Sequence, residues 1–275
     1  MEEEITKEDE RKRVFFAFEV NAPWPEHLPD GRTLSESDRH LTLAFLGDTH
    51  FPSLEHILSS FPTPPFKIGL TGQFNRCEFL PPKRPNVVSW HIDWFDQDHD
   101  LGVFQQQVIQ WLQQHDFSVS QPKHRFLPHV TLARRPFHIN QWRQAFHPLP
   151  VMISNIHLYE SLGHLTYHPR WTYELKPPFE EIDHTADVAF RVRGENLQQL
   201  YNHALTALTF LSPSLLSYLP RENRPAHLDD IIIDLNALIT EADSNEGVPL
   251  KAVSFHGEIM EEEDRTIFWE MIIDV

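Results

Sequence analysis

Apolar and polar positions alternate with a period of two in several short runs of this chain and with a helical period in three longer ones. Residues 13–20, RVFFAFEV, are aromatic and β-branched and predict a strand. Residues 39–47, RHLTLAFLG, predict a second, ended by Gly47. A short helix is expected over 52–60, and strands over 66–74 (FKIGLTGQF) and 86–94 (NVVSWHIDW). Between 101 and 114 the period lengthens, putting Phe104, Val108, Trp111 and Leu112 on one helical face. FLPHVTLARR (126–135) reads as a strand, and MISNIHLYES (152–161) with HLTYHPRWTYEL (164–175) as a closing antiparallel pair. The order repeats approximately around residues 40 and 129, as two similar lobes would.

KPPFEEI (176–182) interrupts the pattern with two prolines and two acids and marks a boundary. Beyond it the order is strand (187–194), helix, helix, strand (250–260), strand (266–275). The first helix starts at an N-cap, Asn196, and stripes Leu197, Leu200, Tyr201, Ala204, Leu205 and Leu208. The second, 227–243, has an acidic outer face, and the Pro-rich segment 212–227 reads as loop. The expected class is α+β throughout: a bilobal β-rich domain over 13–176, then a small α+β domain over 179–275. Residues 1–12 read as an acidic tail.

Charge sharpens the division. Of the net −17, residues 1–176 carry −4 and residues 177–275 carry −13. The second domain is therefore a poor general binder of nucleic acid, since phosphate contacts need Lys and Arg. The first, without its tail, is near neutral and has room for a basic cleft. A single cysteine, Cys77, excludes a disulfide framework and a thiolate metal cage. No apolar run is long enough to span a bilayer, and the acidic start is unlike a secretory signal. A monomeric, cytoplasmic protein without membrane contact is the expectation.

One phrase occurs twice: RHLTLAFLG and PHVTLARR. On a strand, residues i and i+2 share a face. His40 and Thr42 share one, and so do His129 and Thr131. Brought together, two imidazoles can serve as general acid and general base, while the two hydroxyls donate to phosphate oxygens. This suits in-line displacement at a phosphodiester, with no metal or other cofactor required. A third match, His164 and Thr166, lacks the following apolar run and is set aside.

With these phrases in place, residues 13–175 resemble the 2H phosphoesterase superfamily, in particular the RNA 2′,3′-cyclic phosphodiesterases also called 2′-5′ RNA ligases. RVFFAFEV, HLTLAFLG, PHVTLARR, LYES and YHPRW carry the resemblance. It implies that His40 protonates the leaving 3′-oxygen and His129 activates water, opening a cyclic phosphate to a 2′-phosphomonoester. Thr42 and Thr131 would hold phosphate oxygens, with Arg134 as a substrate-binding residue. The partner implied is an RNA or nucleotide with a 2′,3′-cyclic phosphate end.

The second domain resembles archease, a small protein that assists an RNA ligase of the tRNA-splicing type. FEEIDHTADVAFRVRG, LKAVSFH and WEMIIDV carry that likeness. It implies a divalent cation, often calcium, held by Asp187, Asp274 and Val275, and an activity-linked Lys251. Oxygen ligands suit such a hard cation. Together the resemblances imply a hydrolase of cyclic phosphate ends, capable also of the reverse 2′-5′ ligation, fused to a module coupled to an RNA-splicing ligase. The competing expectation is a non-catalytic accessory that binds RNA ends or activates a ligase. The paired imidazoles favour the enzyme.

Overall fold

A computed structural model describes residues 10–96, 101–119, 126–185, 187–220 and 224–275. The expected acidic tail lies outside these residues up to position 9, and the first strand takes its remainder. Along the first part run β1 (Arg11–Asn21), β2 (Arg32–Thr33), β3 (His40–His50), α1 (Phe51–Glu55), β4 (Thr71–Leu80) and β5 (Val87–Trp94). Then come α2 (Leu101–Gln114), β6 (His129–Arg134), α3 (Ile139–Ala145), β7 (Leu149–Gly163) and β8 (Thr166–Tyr173). Hydrogen-bonded neighbours follow the order β1-β3-β6-β5-β4-β7-β8, with β2 on β6. The long β7 also pairs with β1, from Val14↔Glu160 to Asn21↔Met152. That pairing closes β1, β3, β6, β5, β4 and β7 into a barrel-like ring, with β8 on the outer side of β7 and β2 on β6.

Alternation decides what lies inside. Phe16 and Phe18 of β1, Leu41 and Leu43 of β3, Trp90 and Ile92 of β5, and Val130 and Leu132 of β6 are all buried in one core. α2 closes that core with the expected face, Phe104, Val108, Trp111 and Leu112. Gln105 Nε2 donates to Leu43 O at 2.8 Å, which ties α2 to β3 beside the first His-x-Thr phrase.

The second part contains β9 (Phe179–Ile182), β10 (Val188–Gly194), α4 (Leu197–Leu211), α5 (Leu228–Glu246), β11 (Ala252–Val253), β12 (Met260–Glu261) and β13 (Ile267–Asp274). Its sheet runs β11-β13-β10-β9, with β12 on β13. Both helices pack on that sheet over a separate core that includes Val192, Leu200, Ala204, Ile232, Leu235, Trp269 and Met271. Asn196 caps α4 as expected, accepting from Gln199 N at 2.9 Å. Gly194 lets β10 meet α4: a Cβ there would lie 2.5 Å from Leu200 N. Gly194→Ala is expected to destabilise this unit by about 1–3 kcal/mol, the usual cost of forcing atoms into a packed site. Denaturant titration of the full chain followed by Trp fluorescence measures it.

Leu175 belongs to the first core and Phe179 to the second, so the change of core falls within the expected boundary. The units meet through a polar seam. Lys176 Nζ pairs with Glu262, with Asp264 at 2.7 Å and with Thr266 Oγ1 at 2.9 Å. Lys67 N donates to Glu195 Oε1 at 2.8 Å and Lys67 Nζ to Asp264 O. These contacts with Lys176 hold the Asp264 carboxyl well below the ordinary carboxylate range.

Several elements differ from expectation. The strand read at 66–74 runs instead from Thr71 to Leu80; Ile68 makes an isolated parallel bridge with Lys176. The expected 250–260 strand is broken into β11 and β12, because Gly257 takes φ +85° in the loop between them. The 52–60 helix breaks after α1 into a 3-10 turn at Leu58–Ser60. The Pro-rich loop holds a 3-10 helix, Pro213–Tyr218, anchored by buried Leu215. α3 has no counterpart among the expected elements; seven residues give a weak periodic signal, although Trp142 is buried.

Candidate active site

The two His-x-Thr strands are neighbours. β3 and β6 run antiparallel and pair at Leu41↔Val130. In that register His40 lies opposite Thr131 and Thr42 opposite His129, so all four share one face of the two-strand ribbon. Leu41 and Val130 point the other way, into the core. The burial sequence is the same in both phrases: His and Thr half-buried, the residue between and the two that follow buried.

The likeness goes further than the face. Against β1, the register of β3 slips by one residue between Ala17↔Thr42 and Phe16↔Ala44, leaving Leu43 as the extra residue. Against β5, β6 slips between Ser89↔Thr131 and Val88↔Ala133, leaving Leu132 extra. Each bulge falls on the leucine after the threonine. Bulges bend a strand and re-aim its side chains. Each histidine is also held alike. His40 Nδ1 donates to Asp38 O at 2.7 Å, and His129 Nδ1 to Leu127 O at 2.8 Å. A carbonyl only accepts, so Nδ1 carries the proton and Nε2 of each neutral ring has its lone pair available.

A pocket of about 340 Å³ opens over this face, lined by His40, Thr42, Arg13, Arg32, Arg134 and Tyr167 among others. His129 and Thr131 are not part of its wall; they lie on the adjoining strand. Aromatic rings wrap His40: Phe15 at 4.7 Å between centroids, Tyr167 edge-on at 4.9 Å and Tyr159 at 5.8 Å. Burial pushes His40 down to about 4; the Asp38 carbonyl and carboxylate oppose this, while His129 and Arg134 add to it. The mutual effect of the two imidazoles places them within electrostatic reach of one another.

Arg134, expected to bind substrate, faces Arg32 directly across β6 and β2. Like charges opposite one another destabilise a sheet unless an anion lies between them. Arg13 completes the trio, its guanidinium 5.1 Å from the exposed Phe45 ring. Among the described residues none of the three pairs with a carboxylate, and Arg134 is hydrogen-bonded to the Tyr167 side chain. Three cations and the rings of Phe15, Phe45 and Tyr167 thus line one pocket, a set of groups suited to an anion.

Arg13, Arg32, Tyr167 and His164 join the pocket without having been marked as pocket residues by the sequence. For Arg13 a signal existed: it alternates with Phe15, Ala17 and Glu19, on the face of β1 next to His40 and Thr42. His164, set aside with Thr166, does not sit on a strand with a bulge. It takes φ 52° in the tight turn joining β7 to β8, from where it lines the pocket rim. Beside His129 on β5 stands a further imidazole, His91, whose Nδ1 meets Asn75 Oδ1 at 2.9 Å.

In the second unit, β10 and β13 pair at Val188↔Ile273, which sets Asp187 opposite Asp274. Lys251 Nζ lies 3.5 Å from Asp274 Oδ1 and 2.7 Å from Val275 O, while Asp187 is 3.7 Å from His184. The four expected residues are thus brought to one end of the sheet. Among the described residues, no three His, Cys, Asp or Glu gather closely enough to hold a metal ion. A calcium ion takes six to eight oxygens. Two carboxylates and Val275, with the Lys251 ammonium set against Asp274 and Val275, do not fit that shell, and no step is assigned to a cation here.

Residues 179–241 match the family model of the Archease protein family, covering β9, β10, α4 and most of α5. Solved structures similar to the chain include E. coli LigT complexed with 3'-AMP, 21% identical over 60% of this chain and 99% of that one, TM-score 0.44. A phosphoesterase is 20% identical over 61% and 99%, TM-score 0.41. The protein TT0787 of Thermus thermophilus is 15% identical over 60% and 98%, TM-score 0.44. No curated protein matches the chain. Among the described residues no helix is long and apolar enough to cross a membrane.

Proposed function

We propose that the first unit is a phosphodiesterase acting on RNA ends that carry a 2′,3′-cyclic phosphate. The observation that carries this reading is the cross-strand square of His40, Thr131, Thr42 and His129 beside three arginines that, among the described residues, have no carboxylate partner. A cyclic phosphate bound there has its non-bridging oxygens within the reach of the two threonine hydroxyls and the arginines. His129 Nε2 takes a proton from water as the water oxygen bonds to phosphorus. The bond from phosphorus to the 3′-oxygen breaks opposite, and His40 Nε2–H gives that oxygen its proton. The product is a 2′-phosphomonoester; with a 5′-hydroxyl in place of water the same roles join the ends as a 2′-5′ phosphodiester, and in exchanged roles the two imidazoles cleave that linkage back to the cyclic phosphate.

His40 is neutral at pH 7 in the free protein. The negative charge of the bound phosphodiester beside Nε2 favours its protonated form, so substrate itself arms the acid. The paired imidazoles do the proton transfers without a metal. Hydrolysis of nucleoside 2′,3′-cyclic phosphate by the purified chain in excess EDTA, with the product isomer identified by NMR, tests the reading. Full activity and a 2′-phosphate are expected. Activity lost to EDTA and restored by a divalent ion would overturn the mechanism, and tight binding without turnover would favour the accessory role.

For the second unit the reading is a contact module for an RNA ligase, supported by the Archease match over residues 179–241. Lys251, Asp187 and Asp274 mark the end of the sheet where that contact is placed. Both units then attend to the same chemical species, the cyclic phosphate end of a cleaved RNA.

A further inference from the structure

Past Tyr167 the surface dips into a second pocket of about 520 Å³, and Tyr167 belongs to the walls of both. The two differ in kind. Among the described residues the first is lined by three arginines and His40 with no carboxylate. The second combines Trp24 and Tyr159 with Arg39, two carboxylates, Glu19 and Glu36, and His157 beside Glu19.

Arg39 is the feature that calls for an occupant. Its guanidinium stacks on Trp24, 4.5 Å from the ring centroid, and its side chain is only 5% exposed. Nη2 makes a long contact to Leu34 O at 3.4 Å, and Nη1 lies 3.7 Å from Glu36. Among the described residues neither Nε nor Nη1 has a hydrogen-bond partner. Leaving buried donors of a cation unmatched is costly. Glu19 is fixed as an oriented acceptor, its Oε2 taking hydrogen bonds from Ser154 at 3.1 Å and Asn155 at 3.3 Å, with His157 Nε2 at 3.5 Å.

We infer that this second pocket receives the nucleobase of the nucleotide adjoining the cyclic phosphate, so that the substrate is an oligonucleotide end rather than a free mononucleotide. The inference rests on the phosphodiesterase reading of the first pocket. A second phosphate is disfavoured there, because Glu19 and Glu36 would repel it. A base meets the pocket on every count. It offers acceptors to Arg39 and donors to the carboxylates along one edge, and a flat face to Tyr159 and Tyr167, while Trp24 supports the guanidinium stacked on it. Tyr167, shared by the two walls, stands where the sugar–phosphate link between the nucleotides passes.

The test compares kcat/KM of the full chain for a dinucleotide ending in a 2′,3′-cyclic phosphate with that for the mononucleoside 2′,3′-cyclic phosphate. The wild type is expected to favour the dinucleotide by about tenfold or more, the range of a single base–aromatic stack. Trp24→Ala is expected to bring the ratio close to one. Arg39→Gln, which removes a buried cation and leaves an amide donor, is expected to lower the ratio even if Trp24→Ala fails to fold. Equal kcat/KM for the two substrates in the wild type overturns the inference, as does a ratio unmoved by both variants. Turnover of neither substrate instead overturns the phosphodiesterase reading beneath it.

Discussion

His40→Ala and His129→Ala are each expected to lower kcat for a 2′,3′-cyclic phosphate by about 100-fold or more, the worth of a positioned acid or base. The two losses should not multiply in the double variant, because both groups act in one concerted step. The rings are held by the same hydrogen bond to the carbonyl two residues back, so neither is a packing residue that happens to be imidazole. Half-burial also means that removing either one leaves the barrel core intact. His164→Ala is expected to have a much smaller effect, since His164 lines the pocket from a turn and not from the paired strands that hold the other two imidazoles. Steady-state kinetics on the three variants decide the matter. If His164 proved essential and either of the others dispensable, the square formed by β3 and β6 would not be the catalytic one.

The pH dependence follows from the same geometry. His40 titrates near 4 in the free protein, and its acid role needs the protonated ring. At pH 7 only a small fraction is protonated, and that fraction grows about tenfold for each unit of falling pH. kcat/KM, which reports the free enzyme, is therefore expected to rise as pH drops below 7 until the general base is itself protonated. A kcat/KM that falls from pH 7 to 6 would contradict the assignment of His40 as acid.

Arg134→Met has the second large expected effect, and its signature is double. Losing charge-assisted hydrogen bonds to phosphate raises KM by about tenfold or more. Losing the cation also relieves the cross-strand opposition to Arg32 and the electrostatic depression of His40. Stability should hold or rise while affinity falls, and the acidic limb of kcat/KM should move to higher pH. Melting temperature, KM and the pH profile measured together separate this outcome from simple damage, which would lower both stability and activity.

Much of this was legible in the sequence because it depends on alternation alone. HLTLA and HVTLA fix which side chains share a face, and that sufficed to select His40, Thr42, His129 and Thr131. The helical faces of α2 and α4 were readable for the same reason. Alternation does not say which strands become neighbours. The return of β7 onto β1, which closes the barrel, follows from contacts between residues some 140 positions apart. Arg32 reaches Arg134 only because the two-residue β2 lies on β6, and two residues carry no periodic signal. His164 joins the pocket through a tight turn, where the strand rule that excluded it has no force. At Lys251 a spacing pattern cannot reveal that the ammonium turns onto Asp274 and Val275 and takes up oxygens a cation would need.

The uneven placement of charge bears on how an RNA finds this pocket. The molecule carries −17 overall, most of it on the second unit, while the cleft itself is cationic. At a distance a polyanion meets repulsion; only within about a Debye length, roughly 10 Å at 0.1 M salt, do the three arginines take over. Salt then acts in opposite senses on the two stages of encounter. It screens the approach, quickening arrival, and weakens the grip on phosphate once contact is made. On the phosphodiesterase reading, the acidic unit is expected to disfavour long stretches of RNA backbone and to leave short, exposed ends as the part of the polymer that enters.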